Sequence, residues 1–177
     1  FMRHNLKGEK HTEFIAAEPE SCPKLTRGKF EYDFGDEAGY TPLLPMFTLG
    51  HDFKPANIHA GGLRYHGAGM IISQLVKDGY MHGVDVAQTE AFEAGMLFAR
   101  VEGIIPAPES CHAIAATIRE AKKATEAGKN TVILFCLSGH GLIDMPSYES
   151  YLNGDLHDYR VSDEEINKFL QTVPQVD

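Results

Sequence analysis

Residues 131–141, Thr-Val-Ile-Leu-Phe-Cys-Leu-Ser-Gly-His-Gly, form the stretch that decides the fold class. The apolar run from Val132 to Leu137 is typical of a strand that is buried on both faces. Helical patterns precede and follow this run in the sequence. A buried strand among helices predicts an α/β fold with a mostly parallel sheet flanked by helices.

The spacing of apolar side chains and stop signals places the other elements. Helices are predicted over 67–77, 89–100 and 109–127. Ser162 and Glu165 have the spacing of a capping box and predict a final helix. Short strands are expected over 13–17 and 84–87, whereas glycine and proline predict an ordered, wrapping loop region up to Gly50.

Composition and charge restrict the class of protein. The chain has 177 residues and a formal net charge of -9, and an acidic chain repels phosphate backbones, which argues against nucleic-acid binding. The longest apolar run, 132–137, is far too short to span a membrane, and no signal-peptide pattern opens the sequence. The 3 cysteines share no close spacing, so a disulfide framework is not expected, and a reducing cytoplasm fits best.

The Ser138-Gly139-His140-Gly141 motif follows the expected strand directly. In parallel sheets, ligands bind beyond the carboxyl ends of strands. Two glycines let the backbone approach a ligand closely, and a serine hydroxyl can bond to a ring nitrogen. The alternative is a tight turn that binds nothing.

Two further motifs contain residues suited to ligand binding. The stretch 59–66, His-Ala-Gly-Gly-Leu-Arg-Tyr-His, fits a glycine hinge, an anion-binding loop, or a pair of histidine metal ligands. Glu109 and His112 lie three residues apart where a helix is predicted to begin, so they can share a face. Glu109 is also favoured there by the helix dipole alone, which leaves a structural role open.

Taken together, the motifs resemble those of tryptophan synthase β chains, and they are most similar to the longer, second-type subgroup. Gly61–Gly67, Glu102–Ser110 and Leu137–Gly141 occur in that order and at that spacing. The resemblance extends from Phe1 to about Tyr151. Further matching stretches are Cys22–Gly28, Tyr32–Asp36, Thr41–Leu44 and Thr48–Phe53.

The resemblance implies a lyase with the type II fold of pyridoxal 5'-phosphate (PLP) enzymes, of which residues 1–177 form one C-terminal lobe. Such enzymes join L-serine to indole by β-replacement and release L-tryptophan and water. By resemblance, the cofactor-binding residues are Ser138, Gly139, Glu109 and Gly62. Leu63 and Arg64 match positions near the substrate, and the backbone of Leu63 and Tyr65 matches a monovalent-cation site. No other metal is implied.

Two departures from the family pattern bear on activity. Arg64 stands where the first-type β chain carries an aspartate, so we expect a more anionic amino-acid donor than L-serine to be favoured. No lysine of the sequence directly follows a histidine, and no Gly-Gly-Gly-Ser-Asn loop is present. The Schiff-base lysine and the catalytic residues are therefore expected upstream, which makes this chain an inactive fragment of a longer enzyme.

The resemblance suggests a homodimer and leaves a tryptophan synthase α chain as a further partner. Two alternatives remain open from the residues alone. One is a non-catalytic lobe that scaffolds or regulates a complete β chain. The other is a metal-dependent hydrolase, and its ligands would be His59, His66, Glu109 and His112.

Overall fold

A computed structural model describes residues 1–9 and 11–176 of the chain. The strands are β1 (Ile15–Pro19), β2 (Lys29–Phe34), β3 (Leu43–Thr48) and β4 (His82–Val86). The helices are α1 (Met2–Leu6), α2 (Lys24–Arg27), α3 (Met70–Lys77), α4 (Gln88–Glu102), α5 (Pro108–Glu126), α6 (Met145–Leu152) and α7 (Asp163–Leu170). Within the described part of the chain, no helix combines the length and the apolar character needed to cross a membrane.

A parallel strand pair and two long helices form the larger of two cores. β1 and β4 pair from Ile15 opposite His82 to Pro19 opposite Val86. Helix α5 packs against both strands and α4 packs against α5. Phe92, at the centre of this core, is only 1% exposed. The expected α/β fold with a parallel sheet flanked by helices is confirmed.

The region up to Gly50 is built around an antiparallel hairpin, so the predicted loop region is wrong in part. β2 and β3 pair from Lys29 opposite Thr48 to Phe34 opposite Leu43. Aromatic residues alternate along β2, but Asp33 is its buried side chain. Thr48 Oγ1 donates to the Asp33 carboxylate over 2.6 Å, and His51 Nδ1 lies 2.7 Å from it. Because the buried position of β2 is a carboxylate, the hydrophobic pattern does not predict this strand.

Most of the predicted helices are confirmed. α5 begins and ends within one residue of the expected bounds, and Gly128 follows it with a φ of +63°. The Ser162 hydroxyl accepts a hydrogen bond from the Glu165 amide over 3.1 Å, which confirms the predicted N-cap of α7. α3 begins at Met70, three residues later than predicted, because Gly67 is taken up in a bridge to Thr48.

The strand predicted over 131–137 is wrong. These residues lie in no strand, and Val132 and Leu134 are 97% and 76% exposed. Cys136 is exposed as well, while Phe135 packs edge-on against Phe98 of α4. A strand needs hydrogen bonds from a neighbouring backbone. Among the described residues, the sheet that holds β1 and β4 has two strands and neither pairs with this segment.

A smaller core fixes α7 to the loop that follows β3. It contains the side chains of Cys22, Leu49, Phe53, Val161 and Ile166. Gly50 has a φ of +102°, and a Cβ atom there would lie 2.5 Å from the Phe169 carbonyl oxygen. Only glycine fits this backbone conformation and this close approach.

We expect the Gly50→Ala variant to be destabilised by about 2–4 kcal/mol, because strain at positive φ adds to a clash with the α7 backbone. Urea unfolding followed by circular dichroism measures the loss. Gly69→Ala is the matched control, since a Cβ there meets nothing within 4 Å and φ is -55°. Equal stability of the two variants would show that α7 does not dock as described.

Candidate functional site

The first turn of α5 holds the Gly61–Leu63 loop through Glu109. This loop forms a single 3-10 turn. Glu109 Oε1 accepts a hydrogen bond from the Gly62 amide over 2.9 Å. A Cβ atom on Gly62 would lie 3.3 Å from that carboxylate oxygen, so glycine permits the approach. Helix termini leave amide groups without intrahelical partners, and a carboxylate is favoured beside them.

Ser110 binds the segment that contains Ser138 to the same turn. The two hydroxyl oxygens lie 3.1 Å apart, and the Gly139 amide donates to Ser110 Oγ over 3.2 Å. The backbones also pair, since Ala107 N donates to Gly139 O over 2.9 Å and Gly141 N donates to Ile105 O over 2.8 Å. Ser110 is fully buried, whereas Ser138 is exposed.

The structure therefore brings together four of the predicted site residues. Glu109 holds Gly62 on one side of the first turn of α5. Ser110 holds Ser138 and Gly139 on the other side, although these two lie 28 and 29 residues further along the chain. The result is one small surface with a serine hydroxyl, a carboxylate and closely packed glycine backbone.

The charge of Glu109 affects the pKa of a second carboxylate, that of Asp144. Burial raises the pKa of Asp144 above its usual value, and the negative charge of Glu109 raises it further. His140 and His59 act in the opposite direction and lower that pKa. His59 Nδ1 also lies 3.0 Å from the Ser147 hydroxyl of α6. Carboxylates and imidazoles thus share the electrostatic environment around the start of α5.

The remaining predicted residues of the loop bind other parts of the chain. The Leu63 carbonyl lies 3.4 Å from Lys24 Nζ, and the Tyr65 carbonyl accepts a hydrogen bond from Cys22 Sγ over 2.8 Å. The Arg64 guanidinium donates to Asn57 Oδ1 and to the Pro55 carbonyl over 3.2 and 3.3 Å. Leu63, Arg64 and Tyr65 therefore do not join the cluster through these contacts.

Comparison with protein-family models matches residues 1–139 to the pyridoxal-phosphate dependent enzyme family. This chain is a member of that family. Its relatives include "Tryptophan synthase beta chain 2" of Aquifex aeolicus, 55% identical over 161 residues, which are 89% of this chain and 37% of the relative. The protein of the same name from Thermotoga maritima is 59% identical over 148 residues, 84% of this chain and 35% of the relative.

The third relative, from Pyrococcus furiosus and also named "Tryptophan synthase beta chain 2", is 52% identical over 174 residues. They make up 98% of this chain and 39% of that protein. The chain thus spans between a third and two fifths of the length of these relatives. The resemblance of the motifs to second-type tryptophan synthase β chains is confirmed, and so is membership of a family of PLP enzymes.

The alternative of a metal centre finds no support. His66 Nε2 donates to the Phe34 carbonyl and His112 Nδ1 donates to the Pro108 carbonyl, each over 2.8 Å. In residues 1–9 and 11–176, no three histidine, cysteine, aspartate or glutamate side chains are grouped so as to hold a metal ion.

The sequence motifs did not predict the roles of three residues near the site. Ser110 directly follows Glu109 in a matched motif, so its position in the predicted first turn was an available signal. Asp144 lies only six residues after Ser138, but no short motif includes it. Lys24 is 39 residues from Leu63, and nothing in the spacing indicates that contact.

We expect Glu109→Gln to lower the pKa of Asp144 toward its usual value, because the substitution removes a neighbouring negative charge that raises it. Glutamine keeps the size of the side chain and a carbonyl oxygen for the Gly62 amide. A pH titration of Asp144 by carbon-13 NMR measures the shift. Glu93→Gln, on the exposed side of α4, is the control. A change of equal size in both variants would show that Glu109 and Asp144 do not interact.

Proposed function

We propose that this chain is one lobe of a PLP-dependent lyase that joins L-serine to indole and yields L-tryptophan and water. The observation that carries the proposal is the cluster of Ser138, Gly139, Glu109 and Gly62 at the start of α5. Relatives of the chain that are 52–59% identical are named tryptophan synthase beta chains. The proposed reaction belongs to the complete enzyme, and the chain alone is expected to be inactive.

Ser138 is the residue we assign to the pyridine nitrogen of PLP. Its side chain is exposed, and one hydroxyl contact, to Ser110, fixes its position. A Cβ atom on Gly139 would lie 3.1 Å from the Ala107 side chain, so glycine also allows the two segments to pack closely. These residues fit the nitrogen side of the PLP ring. When bound, PLP supplies an electron sink for bonds at the amino-acid donor.

The type of side chain at Ser138 bears on the choice of reaction. A hydroxyl group does not keep a pyridine nitrogen protonated, as an aspartate does. The ring is then a weaker electron sink, which suits elimination and replacement better than transamination. Ser110 supports this role because its hydroxyl contacts both the Ser138 hydroxyl and the Gly139 amide.

Glu109 and Gly62 form the other side of the proposed site. The bond to the Gly62 amide engages Oε1 of Glu109. Oε2 is then left to hold or accept a proton beside the cofactor ring. Gly62 and Leu63 are assigned to the substrate side of the loop. Covalent attachment of PLP is assigned to a lysine outside this chain, because no lysine here directly follows a histidine.

The assembly and location of the enzyme are part of the same proposal. Leu97, Val101 and Ile104 are 45–69% exposed along α4 and the turn after it, which suits contact with a second subunit. A homodimer is therefore proposed. The relatives are named beta chains, which fits an α chain as a further partner. A reducing cytoplasm suits 3 cysteines that are all free thiols.

The role of Ser138 is tested by Ser138→Asp in the natural-length enzyme loaded with PLP. Aspartate would hold the ring nitrogen protonated, so we expect L-tryptophan formation from L-serine and indole to fall at least about tenfold. Chromatography of the products measures this, and PLP absorbance reports binding. Ser150→Ala, on α6, is the control. Unchanged L-tryptophan formation by the Ser138→Asp variant would show that Ser138 does not contact the pyridine nitrogen.

Arg64 is proposed to select the amino-acid donor. A cation next to the substrate loop favours an anionic donor, so we expect Arg64→Asp to lower the ratio of kcat/KM for O-phospho-L-serine to that for L-serine by about tenfold. Competition between the two donors measures the ratio. Arg100→Asp, at the exposed end of α4, makes the same charge change elsewhere. An unaltered ratio in Arg64→Asp would exclude donor selection by this residue.

A further inference from the structure

Two side chains at the start of α2 contact the Gly61–Tyr65 loop: that of Cys22, two residues before the helix, and that of Lys24, its first residue. Lys24 Nζ lies 3.4 Å from the Leu63 carbonyl oxygen. Cys22 Sγ donates to the Tyr65 carbonyl oxygen over 2.8 Å. By the family resemblance, the backbone of Leu63 and Tyr65 matches a monovalent-cation site. In this chain their carbonyl groups face an ammonium group and a thiol instead.

The Lys24 ammonium has a buried counter-charge of its own. Its side chain is 12% exposed, and Glu18 Oε2, on a side chain that is 3% exposed, lies 3.9 Å away. The Glu18 carboxylate also accepts hydrogen bonds from the Leu25 and Thr26 amides and from Thr26 Oγ1. A buried ion is tolerated only when it is paired and hydrogen-bonded in this way.

The charge of Lys24 acts on the pKa of Cys22 and on that of His112. Burial raises the pKa of the Cys22 thiol, and Lys24 opposes that rise. Burial lowers the pKa of His112, and Lys24 adds a small further decrease. Burial thus favours the protonated form of the Cys22 thiol, which donates to the Tyr65 carbonyl. A second cation next to the Leu63 carbonyl would be repelled by the Lys24 charge, and the Glu18 carboxylate is already engaged by Lys24 and by the Leu25 and Thr26 amides.

We propose that the Lys24 ammonium takes the place of a free monovalent cation on this loop. Lys24 is then a positioning residue. It contacts the Leu63 carbonyl, while Glu109 holds the amide of the neighbouring Gly62. The consequence is that the loop needs no sodium, potassium or ammonium ion from solution. This inference does not depend on the reaction proposed above, because it concerns ion binding and stability.

The first test uses the unmodified natural-length protein. Its Tm is measured by scanning fluorimetry while potassium, sodium or ammonium chloride replaces tetramethylammonium chloride at constant ionic strength. A bound ion stabilises a protein in a saturable manner. We expect no saturable rise in Tm, and no binding of thallium(I) by thallium-205 NMR. A saturable rise with any of these ions, or a bound thallium signal, would overturn the proposal.

The second test uses Lys24→Met, which removes the ammonium and keeps the length of the side chain. In tetramethylammonium chloride we expect Tm to fall by about 5–15 °C, because Glu18 is left as an unpaired buried charge. Ammonium or potassium chloride should then restore part of that loss in a saturable manner. Lys54→Met is the control, since the Lys54 side chain is 76% exposed and pairs with that of Glu37, 67% exposed, at 3.5 Å.

The response to cations separates replacement of an ion from a general role in folding. A Lys24→Met protein that loses stability but gains no cation response would overturn the proposal, because a merely structural lysine gives that result. If Lys24→Met does not fold, Lys24→Arg and the unmodified protein decide the question. Both should lack a cation response, since each keeps a positive charge beneath the loop, and a response in either would overturn the proposal.

Discussion

The first turn of α5 is the constraint on which the site depends. Pro108 begins the helix, and the Glu109 and Ser110 side chains reach out to two separate loops. Two segments that are distant in the sequence are therefore held against one helical turn by its side chains. The antiparallel bridge between Pro106 and His140 adds backbone hydrogen bonds to the same point. The side chains of Glu109 and Ser110 thus both position the two loops and form part of the candidate site.

Paired charges explain how an acidic chain keeps several polar groups inside. Glu18 is 2% exposed and Asp33 is fully buried, yet each carboxylate accepts at least three hydrogen bonds. Glu18 caps α2 and faces Lys24, while Asp33 joins β2 to the chain after β3. Such groups fix register because an alternative packing would leave a buried charge without its partner. The hairpin and the loop beneath Leu63 are both held by polar contacts of this kind.

Local sequence signals predicted the helices, whereas the contacts of the site depend on residues that are distant in the sequence. α5 and α7 follow from apolar spacing and, for α7, from the Ser162 cap, all of which lie within a few residues of each other. The family motifs pointed to Ser138, Glu109 and Gly62, which the structure gathers. They did not point to Lys24, because its partner Leu63 is 39 residues away. A contact of that range depends on how β1, α2 and the loop pack together, and no short motif encodes it.

In residues 131–137 the apolar sequence predicts a strand that the structure does not contain. Ile133 and Phe135 are half-buried, whereas Val132, Leu134 and Cys136 are exposed, so the side chains alternate as they do in a strand. The half-buried face packs against α4, where Phe135 meets Phe98. The apolar run is typical of a strand that is buried on both faces. A strand forms, however, only where a neighbouring backbone supplies hydrogen bonds. An apolar sequence therefore predicts the environment that a segment requires, while the strand itself forms only where the rest of the fold supplies that environment.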